Sequence, residues 1–223
     1  MLTVAWCDAT FVRPEAVASL PAPALNARCL DISKSTVDRI WRQVSGRGLS
    51  LDPLTSVGPI LVKSEENGKH DGRIISGPIP QRLRGFVYQL LVDNRVRDHF
   101  VDLRAVILDC RVVLTHEVRR DIDNRFGGSY DPVNPMASTR IAGPDAFSVE
   151  ESDALLDFAA RIGLDYGELD VLRDADGTTY VVDANKTPVF PRRSLREPEA
   201  TVAVKRMADA FQELISRHRG AFE

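Results

Sequence analysis

Residues 168–188, ELDVLRDADGTTYVVDANKTP, read as two β-strands joined by an Asp-Gly turn. If Asp176 and Gly177 form a two-residue hairpin turn, the numbers of paired residues add to a constant. Asp170 then lies directly across from Asp183. Their Cβ atoms would be ~4.5–5.5 Å apart, and like charges placed in this way are destabilising. A fold that keeps this pairing needs something that offsets the repulsion.

The same register places Glu168 across from Asn185, so four oxygen-bearing side chains share one face of the hairpin. A divalent cation relieves such a conflict, because hard cations such as Mg²⁺ prefer carboxylate and amide oxygens. Magnesium usually keeps one or two protein carboxylates and takes its other ligands from water and substrate phosphates. The hairpin is therefore interpreted as a platform for a metal-bound nucleotide.

The hairpin has two other interpretations. A hairpin that faces solvent is one, and it applies to the turn residues Asp174 and Asp176, but the YVV run favours an internal strand. An EF-hand loop is the other. It is excluded because Leu172 would occupy the first ligand position and because the flanking segments read as strands.

Composition limits the class of protein. A chain of 223 residues can bury the core of one large domain or of two small lobes. The net charge of −3 and the scattered Lys and Arg residues argue against a nucleic-acid partner. No signal peptide or membrane-spanning apolar run is apparent, and the three cysteines are widely spaced. We expect a cytoplasmic protein with reduced thiols and no membrane partner.

The order of the elements predicts an α+β fold, because strands occur in runs that are separated by helices. Strands are predicted at PILVKS, RIIS, GFVYQLLV, FVDLRAVIL and RVVLTHEVRR. A helix capped by Ser33 or Asp31 should follow DIS, and a second should begin with the capping box of Ser148 and Glu151 and end at Gly163. The last helix should bury one side, consisting of Val204, Met207, Ala208, Phe211, Leu214 and Ile215.

Two cations stand out within predicted strands. Lys63 ends PILVK and is followed by the glycine-containing loop SEENGKHDG, whose backbone amides could close over phosphates. Arg104 alternates with Asp102 in VDLR, so it either pairs with Asp102 or binds a phosphate or carboxylate. Arg119 and Arg120, which end the next strand, would add positive charge on the same side. Walker and GxGxxG motifs are both absent.

These features together resemble the ATP-grasp enzymes over about residues 31–191. The strongest part is LDVLRDADGTTYVVDANKTP, which resembles the family's aspartate strand, turn and acid-x-Asn-x-x-Pro sequence, with the spacing of D-alanine–D-alanine ligases. DISKSTV, KSEENGKHDG and GLDYGELDVLRD resemble a different branch of the superfamily. The resemblance implies two α+β lobes with ATP between them. The expected division is an N-terminal extension (1–30), a small lobe (31–92) and a large lobe (93–223), with the family's N-terminal substrate domain largely absent.

By this resemblance the cofactors are ATP and Mg²⁺. The metal ligands would be Asp170, Asp183 and Asn185, with Asp183 in place of the commoner glutamate. Lys34 and Lys63 resemble the family's two ATP-phosphate lysines.

The resemblance also assigns VYQLLVDN to the hinge between the lobes. Gln89 would begin the adenine contact, the backbones of Leu90 and Val92 would read the adenine edge, and Asp93 would reach the ribose. The arginine of VDLR, Arg104, would hold phosphate or the reacting carboxylate.

The expected catalytic groups are therefore Arg104 and Lys63. One departure is Glu168, because some relatives place an arginine two residues before the metal aspartate.

The function that the resemblance implies is a ligase that joins a small-molecule carboxylate to an amine through an acyl-phosphate. One alternative is a small-molecule kinase, in which Glu168 or Asp165 would serve as the base. The other is a non-catalytic nucleotide-binding partner. We expect a homodimer, whose second subunit could complete the acceptor site. Acceptor recognition is expected in the loop 121–140 and after Pro188.

Overall fold

The structure, a computed structural model, describes residues 2–125, 137–143, 145–189 and 195–220. Within these ranges the chain forms helices and strands in three sheets. The helices are α1 (Pro14–Ala18), α2 (Lys34–Ser45), α3 (Val149–Ile162) and α4 (Glu199–Gly220). The strands are β1 (Thr3–Val4), β2 (Ala24–Leu25), β3 (Gly58–Ser64), β4 (Arg73–Gly77), β5 (Phe86–Leu90), β6 (Arg95–Val96), β7 (His99–Leu108), β8 (Arg111–Asp121), β9 (Ala137–Ile141), β10 (Tyr166–Arg173) and β11 (Thr179–Asn185).

The largest sheet is antiparallel and has the order β11-β10-β7-β8-β9, with β6 paired to β7. Because side chains alternate along a strand, the central strand β7 contributes to both faces. Leu103, Ala105 and Ile107 point to one face, where they form a buried core with α2 and α3. This core includes Trp41 and Phe158, whose rings meet edge to face at 6.1 Å between centroids.

The other face of the large sheet has an apolar end and a charged end. At one end Val106 and Leu108 are fully buried in a second core beneath α4. At the other end the same strand carries Asp102 and Arg104, which line a cleft instead of a core. The polarity of this face therefore changes within two residues of β7.

A three-stranded antiparallel sheet with the order β4-β3-β5 has its own small core. Ile60, Val62 and Tyr88 are buried there. The parallel pair β1 and β2 forms a third sheet, and Leu25 of β2 packs with the residues under α4. Leu2, Val4 and Leu25 thus pack against the core beneath α4, and the expected N-terminal boundary at residue 30 stays a prediction.

The local signals for the first two long helices are confirmed. Ser33 caps α2 by accepting a hydrogen bond from the Thr36 N–H, and the predicted capping box of Ser148 and Glu151 begins α3. Gly163 follows α3 with a φ of 80°, the left-handed conformation that favours glycine. The position of α2 was not anticipated, since it packs on the large sheet and α3 although it precedes the small sheet in the chain. The expected boundary at residues 92/93 stays a prediction.

The buried side of α4 differs from the prediction. Its buried residues are Ala203, Met207, Ala210 and Leu214. Val204 and Ile215, predicted to be buried, are 47% and 39% exposed. The physical reason is that the stripe facing the sheet consists of residues 203, 207, 210 and 214, so the β-branched Val204 and Ile215, and also Ala208, lie on the exposed side of the helix. No helix among the described residues is long and apolar enough to span a membrane.

Candidate active site

A cleft of about 420 Å³ lies between the small sheet and the charged end of the large sheet. It is lined by every predicted site residue except one. These are Lys34, Lys63, Gln89, Leu90, Val92, Arg104, Asp170, Asp183 and Asn185. The exception is Asp93, which does not line the cleft and whose carboxylate pairs with Arg95.

The hairpin of β10 and β11 has the predicted pairing at its polar end. Glu168 lies opposite Asn185 and Asp170 opposite Asp183. The predicted two-residue turn is wrong, however. The strands end at 173 and 179, and the turn is closed by a hydrogen bond of 2.9 Å from the Asp174 N–H to the 178 carbonyl.

A β-bulge reconciles this turn with the pairing. The register shifts by one between Asp170 and Val171, so Val182 is an extra residue on β11. Without it, the turn register would place Asp183 opposite Leu169, on the core face, because a slip of one residue moves a side chain to the other face. The bulge therefore brings Asp183 into the cleft.

The sequence left open whether Arg104 pairs with Asp102, and the structure shows that its closest carboxylates belong to β10 instead. Arg104 Nη1 contacts Asp170 Oδ1 and lies 3.4 Å from Glu168 Oε1. Burial alone would lower the pKa of Arg104, but the carboxylates of Asp170 and Glu168 outweigh it and raise that pKa above its usual value. Asp102 pairs with Arg120 instead. Arg104 therefore holds two buried carboxylates together, and its charge is retained.

Two lysines face the hairpin of β10 and β11. Lys34, the first residue of α2, lies with its Nζ 3.7 Å from Asp183 Oδ1 and donates to the Glu66 carbonyl at 2.8 Å. Burial, followed by the charge of Lys34, lowers the pKa of Lys63, while the carboxylate of Asp183 opposes this shift. A cation that is disfavoured in this way is stabilised by an added anion such as a phosphate.

The opposite end of the cleft is apolar and adjoins the segment after β5, where the hinge between the lobes was expected. Its wall contains Leu49, Val92, Leu172 and Val182, which pack with Tyr180 in a small apolar cluster. Gln89 is 1% exposed, and its Oε1 has no hydrogen-bond partner among the described residues. The Leu90 N–H donates to the Leu49 carbonyl at 2.7 Å, and the Val92 carbonyl accepts from Arg125. This end can accept a flat, partly polar ring.

Arg120 and Arg125 line the cleft near this end. The guanidinium of Arg125 also lies over the ring of Phe100, 4.6 Å from its centroid. Arg119 has a different environment, since it pairs with Glu117 and does not line the cleft. The structure thus separates the two arginines that the sequence grouped together, because successive residues of a strand face opposite sides.

Sequence reasoning missed Asn67 and Asp8, which line the cleft, and Thr10, which anchors the backbone of Asn67. Asn67, in the loop between β3 and β4, donates from Nδ2 to Asn185 Oδ1 at 3.1 Å. Thr10 accepts from the Asn67 N–H at 2.8 Å, and Asp8 accepts from Thr187 at 2.9 Å. No motif marks Asp8 or Thr10, because their partners lie far away in the chain. Most of the loop 121–140, and residues 190–194, lie outside the described residues.

The donor set fits a magnesium ion. Among the described residues no group of three or more His, Cys, Asp or Glu side chains could hold a metal by itself. The candidate set is instead two carboxylates and an amide, Asp170, Asp183 and Asn185, which suits a cation that shares its ligands with phosphates. Asp183 Oδ1 is buried and has no hydrogen-bond partner among the described residues, and the ammonium of Lys34 lies 3.7 Å from it, beyond hydrogen-bond distance. A buried acceptor of this kind is costly unless a cation satisfies it.

Comparison with known proteins gives matches in structure only. No family model matches the sequence, and no curated protein matches it. The ATP-grasp ligase PsnB, solved with a minimal precursor, superposes with a TM-score of 0.57 at 18% identity over 83% of this chain and 63% of PsnB. The macrocyclase MdnC, bound with precursor peptide MdnA from Microcystis aeruginosa MRC, has a TM-score of 0.53 at 15% identity over 88% of this chain and 66% of its own.

The VanG D-Ala:D-Ser ligase from Enterococcus faecalis is also similar, with a TM-score of 0.52 at 13% identity over 81% of this chain and 59% of VanG. At these identities the likeness concerns the fold, and it shows that the chain has the ATP-grasp fold. The chain spans less than two thirds of the length of each of these three neighbours.

Proposed function

We propose that the protein is an ATP- and Mg²⁺-dependent ligase that joins a carboxylate to an amine through an acyl-phosphate. The observation that carries this proposal is the convergence of three cations and three metal-type oxygen ligands in one cleft of an ATP-grasp fold. The cations are Lys34, Lys63 and Arg104, and the candidate metal ligands are Asp170, Asp183 and Asn185.

The adenine would bind against the apolar wall around Val92. A ring held there needs an acceptor for its amino group and a donor for its ring nitrogen. The Leu90 N–H and the Val92 carbonyl already have partners, so the Leu90 carbonyl and the Val92 N–H are the backbone groups left for this contact. Gln89 Oε1 adds a buried acceptor beside them. Asp93 would reach the ribose only after it exchanges its contact with Arg95.

The phosphates would lie between the two lysines and the hairpin. Asp170, Asp183 and Asn185 would hold Mg²⁺, which when bound supplies positive charge to the phosphate oxygens. Lys34 and Lys63 bind the same oxygens from the other side of the cleft. In phosphoryl transfer most of the catalysis comes from such positioning and charge stabilisation.

The chemistry requires no covalent protein nucleophile. An oxygen of the substrate carboxylate attacks the γ-phosphorus, the bond from that phosphorus to the ADP oxygen breaks, and ADP leaves. The amine nitrogen then attacks the acyl carbon, and inorganic phosphate leaves as the amide forms and the amine loses a proton. Arg104 and Lys63 stabilise the negative charge that moves during both steps.

The kinase alternative receives less support. Asp165, one of its two candidate bases, accepts a hydrogen bond from the Asn26 N–H at 2.7 Å and pairs with Arg28, and it does not line the cleft. Glu168 does line the cleft, but it contacts Arg104. A non-catalytic nucleotide-binding protein would use the same cations and carboxylates, so ATP turnover is the measurement that distinguishes it from a ligase.

The substrates belong to the same proposal. PsnB and MdnC are solved with peptide precursors, whereas VanG is a ligase for two D-amino acids. We accordingly propose an amino acid or a peptide as the acceptor. We also propose a cytoplasmic homodimer in which the second subunit adds to the acceptor site.

ADP and phosphate release, measured with a panel of amino acids and dipeptides, tests the reaction class. A ligase releases ADP and phosphate in step with amide formation, whereas a kinase releases ADP and leaves a stable phosphorylated product. Asp183→Ala should weaken Mg-ATP binding at least tenfold. If this variant keeps wild-type affinity and turnover, the metal assignment is wrong.

A further inference from the structure

Asn67 reaches across the cleft from the loop between β3 and β4 to β11. Its Nδ2 donates to the Ala184 carbonyl at 3.2 Å and to Asn185 Oδ1 at 3.1 Å. Its own Oδ1 accepts from the Gly68 N–H at 2.9 Å. It is thus the residue of this loop that touches a candidate metal ligand directly.

Chemistry fixes which way both amides face. A backbone N–H can only donate and a backbone carbonyl can only accept, so Gly68 and Ala184 orient the Asn67 amide. The Asn185 atom that faces Asn67 Nδ2 must then be its oxygen. The other end agrees, because Asn185 Nδ2 donates to Asp170 Oδ1 at 3.2 Å.

The amide of Asn185 is consequently held at both ends. An amide oxygen has two lone pairs, and the bond from Asn67 uses one, which leaves the other for a cation. A rotated amide would present its NH₂ group, which cannot bind a metal. Groups that orient a metal ligand in this way typically change metal affinity by roughly 10–100-fold when they are removed.

We propose that Asn67 is a positioning residue that presents Asn185 Oδ1 to the divalent cation and links the loop to the metal site. This inference rests on the proposed function, since it requires a metal at Asp170, Asp183 and Asn185.

The loop that carries Asn67 is anchored independently of Asn185. Glu65 accepts from the Ser35 N–H at 2.9 Å, the Glu65 carbonyl accepts from the Lys34 N–H at 3.2 Å, and Thr10 Oγ1 accepts from the Asn67 N–H. These contacts hold the loop at the N-terminus of α2 and at residue 10. The side chain of Asn67 can therefore be removed while most of the loop's anchors remain.

Mn²⁺ binding in the presence of ADP, measured by electron paramagnetic resonance of the free ion, is the test. We expect Asn67→Ala to weaken Mn²⁺ binding about tenfold. The matched control is Thr10→Val, which removes a loop anchor but keeps the side chain of Asn67. It should loosen the loop in hydrogen exchange over residues 65–72 and change Mn²⁺ affinity less than twofold.

A double-mutant cycle with Asn185→Ala decides whether Asn67 acts through that residue. In the Asn185→Ala background, Asn67→Ala should have no further effect on Mn²⁺ affinity. The proposal is overturned if Asn67→Ala leaves Mn²⁺ affinity within twofold of wild type, or if its effect is the same in both backgrounds. Equal weakening by Thr10→Val and Asn67→Ala would also overturn it, because the loop alone would then be responsible.

Asp183→Ala separates failure of this inference from failure of the proposed function. If Asp183→Ala binds Mn²⁺ and ADP like the wild type, the metal site itself is wrong and both proposals fail. If Asp183→Ala weakens Mn²⁺ binding and Asn67→Ala does not, only the role of Asn67 is refuted. Unfolding in urea should confirm that every variant is folded at the temperature used.

Discussion

The two ends of one face of the large sheet share their strands but differ in what covers them. Under α4, Val106 and Leu108 of β7 are fully buried among apolar side chains. Arg104 lies only two residues earlier, about 7 Å away along the strand, and contacts carboxylates of β10 in the cleft. The same strands thus carry an apolar core at one end and a charged cleft at the other. The charged end can adjoin the core because Arg104 offsets the charges of Glu168 and Asp170.

The largest effect is expected from Arg104→Met, at the charged end. The variant leaves Glu168 and Asp170 without the cation that joins them, and breaking a buried pair costs about 3–5 kcal/mol. We expect this loss in the free energy of unfolding at neutral pH, measured in urea, together with loss of turnover. The control is Arg119→Met on the opposite face, which should cost about 1 kcal/mol or less, because Glu117 keeps Arg140. A loss below 1 kcal/mol for Arg104→Met would refute the charge compensation.

At the apolar end, Leu214→Ala removes a fully buried side chain of α4. We expect a loss of about 3 kcal/mol in the free energy of unfolding, because a cavity remains. The affinity for Mg-ATP should not change at temperatures where the variant is folded. Ile215→Ala, a neighbour that is 39% exposed, should cost much less. If Leu214→Ala changed Mg-ATP affinity more than threefold, the two ends would not be independent.

Gly167→Ala tests the boundary between the ends. A Cβ at this position would lie 2.4 Å from the Asn185 carbonyl oxygen, so β10 and β11 must move apart beside a candidate metal ligand. Overpacking of this kind costs about 1–3 kcal/mol, and we expect weaker Mg-ATP binding in calorimetry as well. Gly143→Ala is the matched control, because a Cβ there meets no atom within 4 Å. Unchanged stability and binding in Gly167→Ala would contradict the close approach.

The smallest effect is expected from Lys63→Met. Because burial lowers the pKa of Lys63 below 10.5, the folded state loses this proton before the unfolded state does. The cost of keeping this lysine charged in the folded state is relieved as pH rises from the folded pKa toward 10.5. Lys63→Met should therefore be more stable than wild type at pH 7, and the difference should shrink toward pH 10.5, while ATP binding weakens.

The quantity to measure is the difference in the free energy of unfolding between Lys63→Met and wild type at each pH. Burial raises the pKa of the Cys29 thiol to about 12, so above pH 9.0 this thiol lowers the stability of both proteins equally. The control is Lys205→Met, which removes an exposed lysine of α4 that pairs with Asp209 and lies outside the cleft. A constant difference between pH 7 and 10.5 would argue that Lys63 is not disfavoured by burial.

Much of the fold follows from short-range signals. The cap at Ser33, the capping box at Ser148 and Gly163 after α3 are each set by neighbours within a few residues, and the structure confirms all three. The pairing of Asp170 with Asp183 was also predictable, although the turn used for the prediction was wrong. The bulge at Val182 compensated for that error.

Contacts between distant segments were not predictable. The pairing of Asp102 with Arg120 rather than Arg104 depends on how β7, β8 and β10 lie side by side. The contacts of Thr10 and Asn67 depend on two loops that meet only after folding. The buried side of α4 depends on which stripe of that helix faces the sheet, which helical periodicity does not specify.

The sequence by itself determined the longer helices, most of the strands and the oxygen-rich face of the hairpin, because periodicity, caps and strand alternation are local properties of the chain. Its motifs also carried the resemblance to ATP-grasp enzymes. Only the tertiary structure decided which cation meets which carboxylate, and that Asp8 and Asn67 line the cleft. The reason is physical: a charge contact depends on distances of a few ångströms between strands and loops that are far apart in sequence. Packing of the whole chain sets those distances.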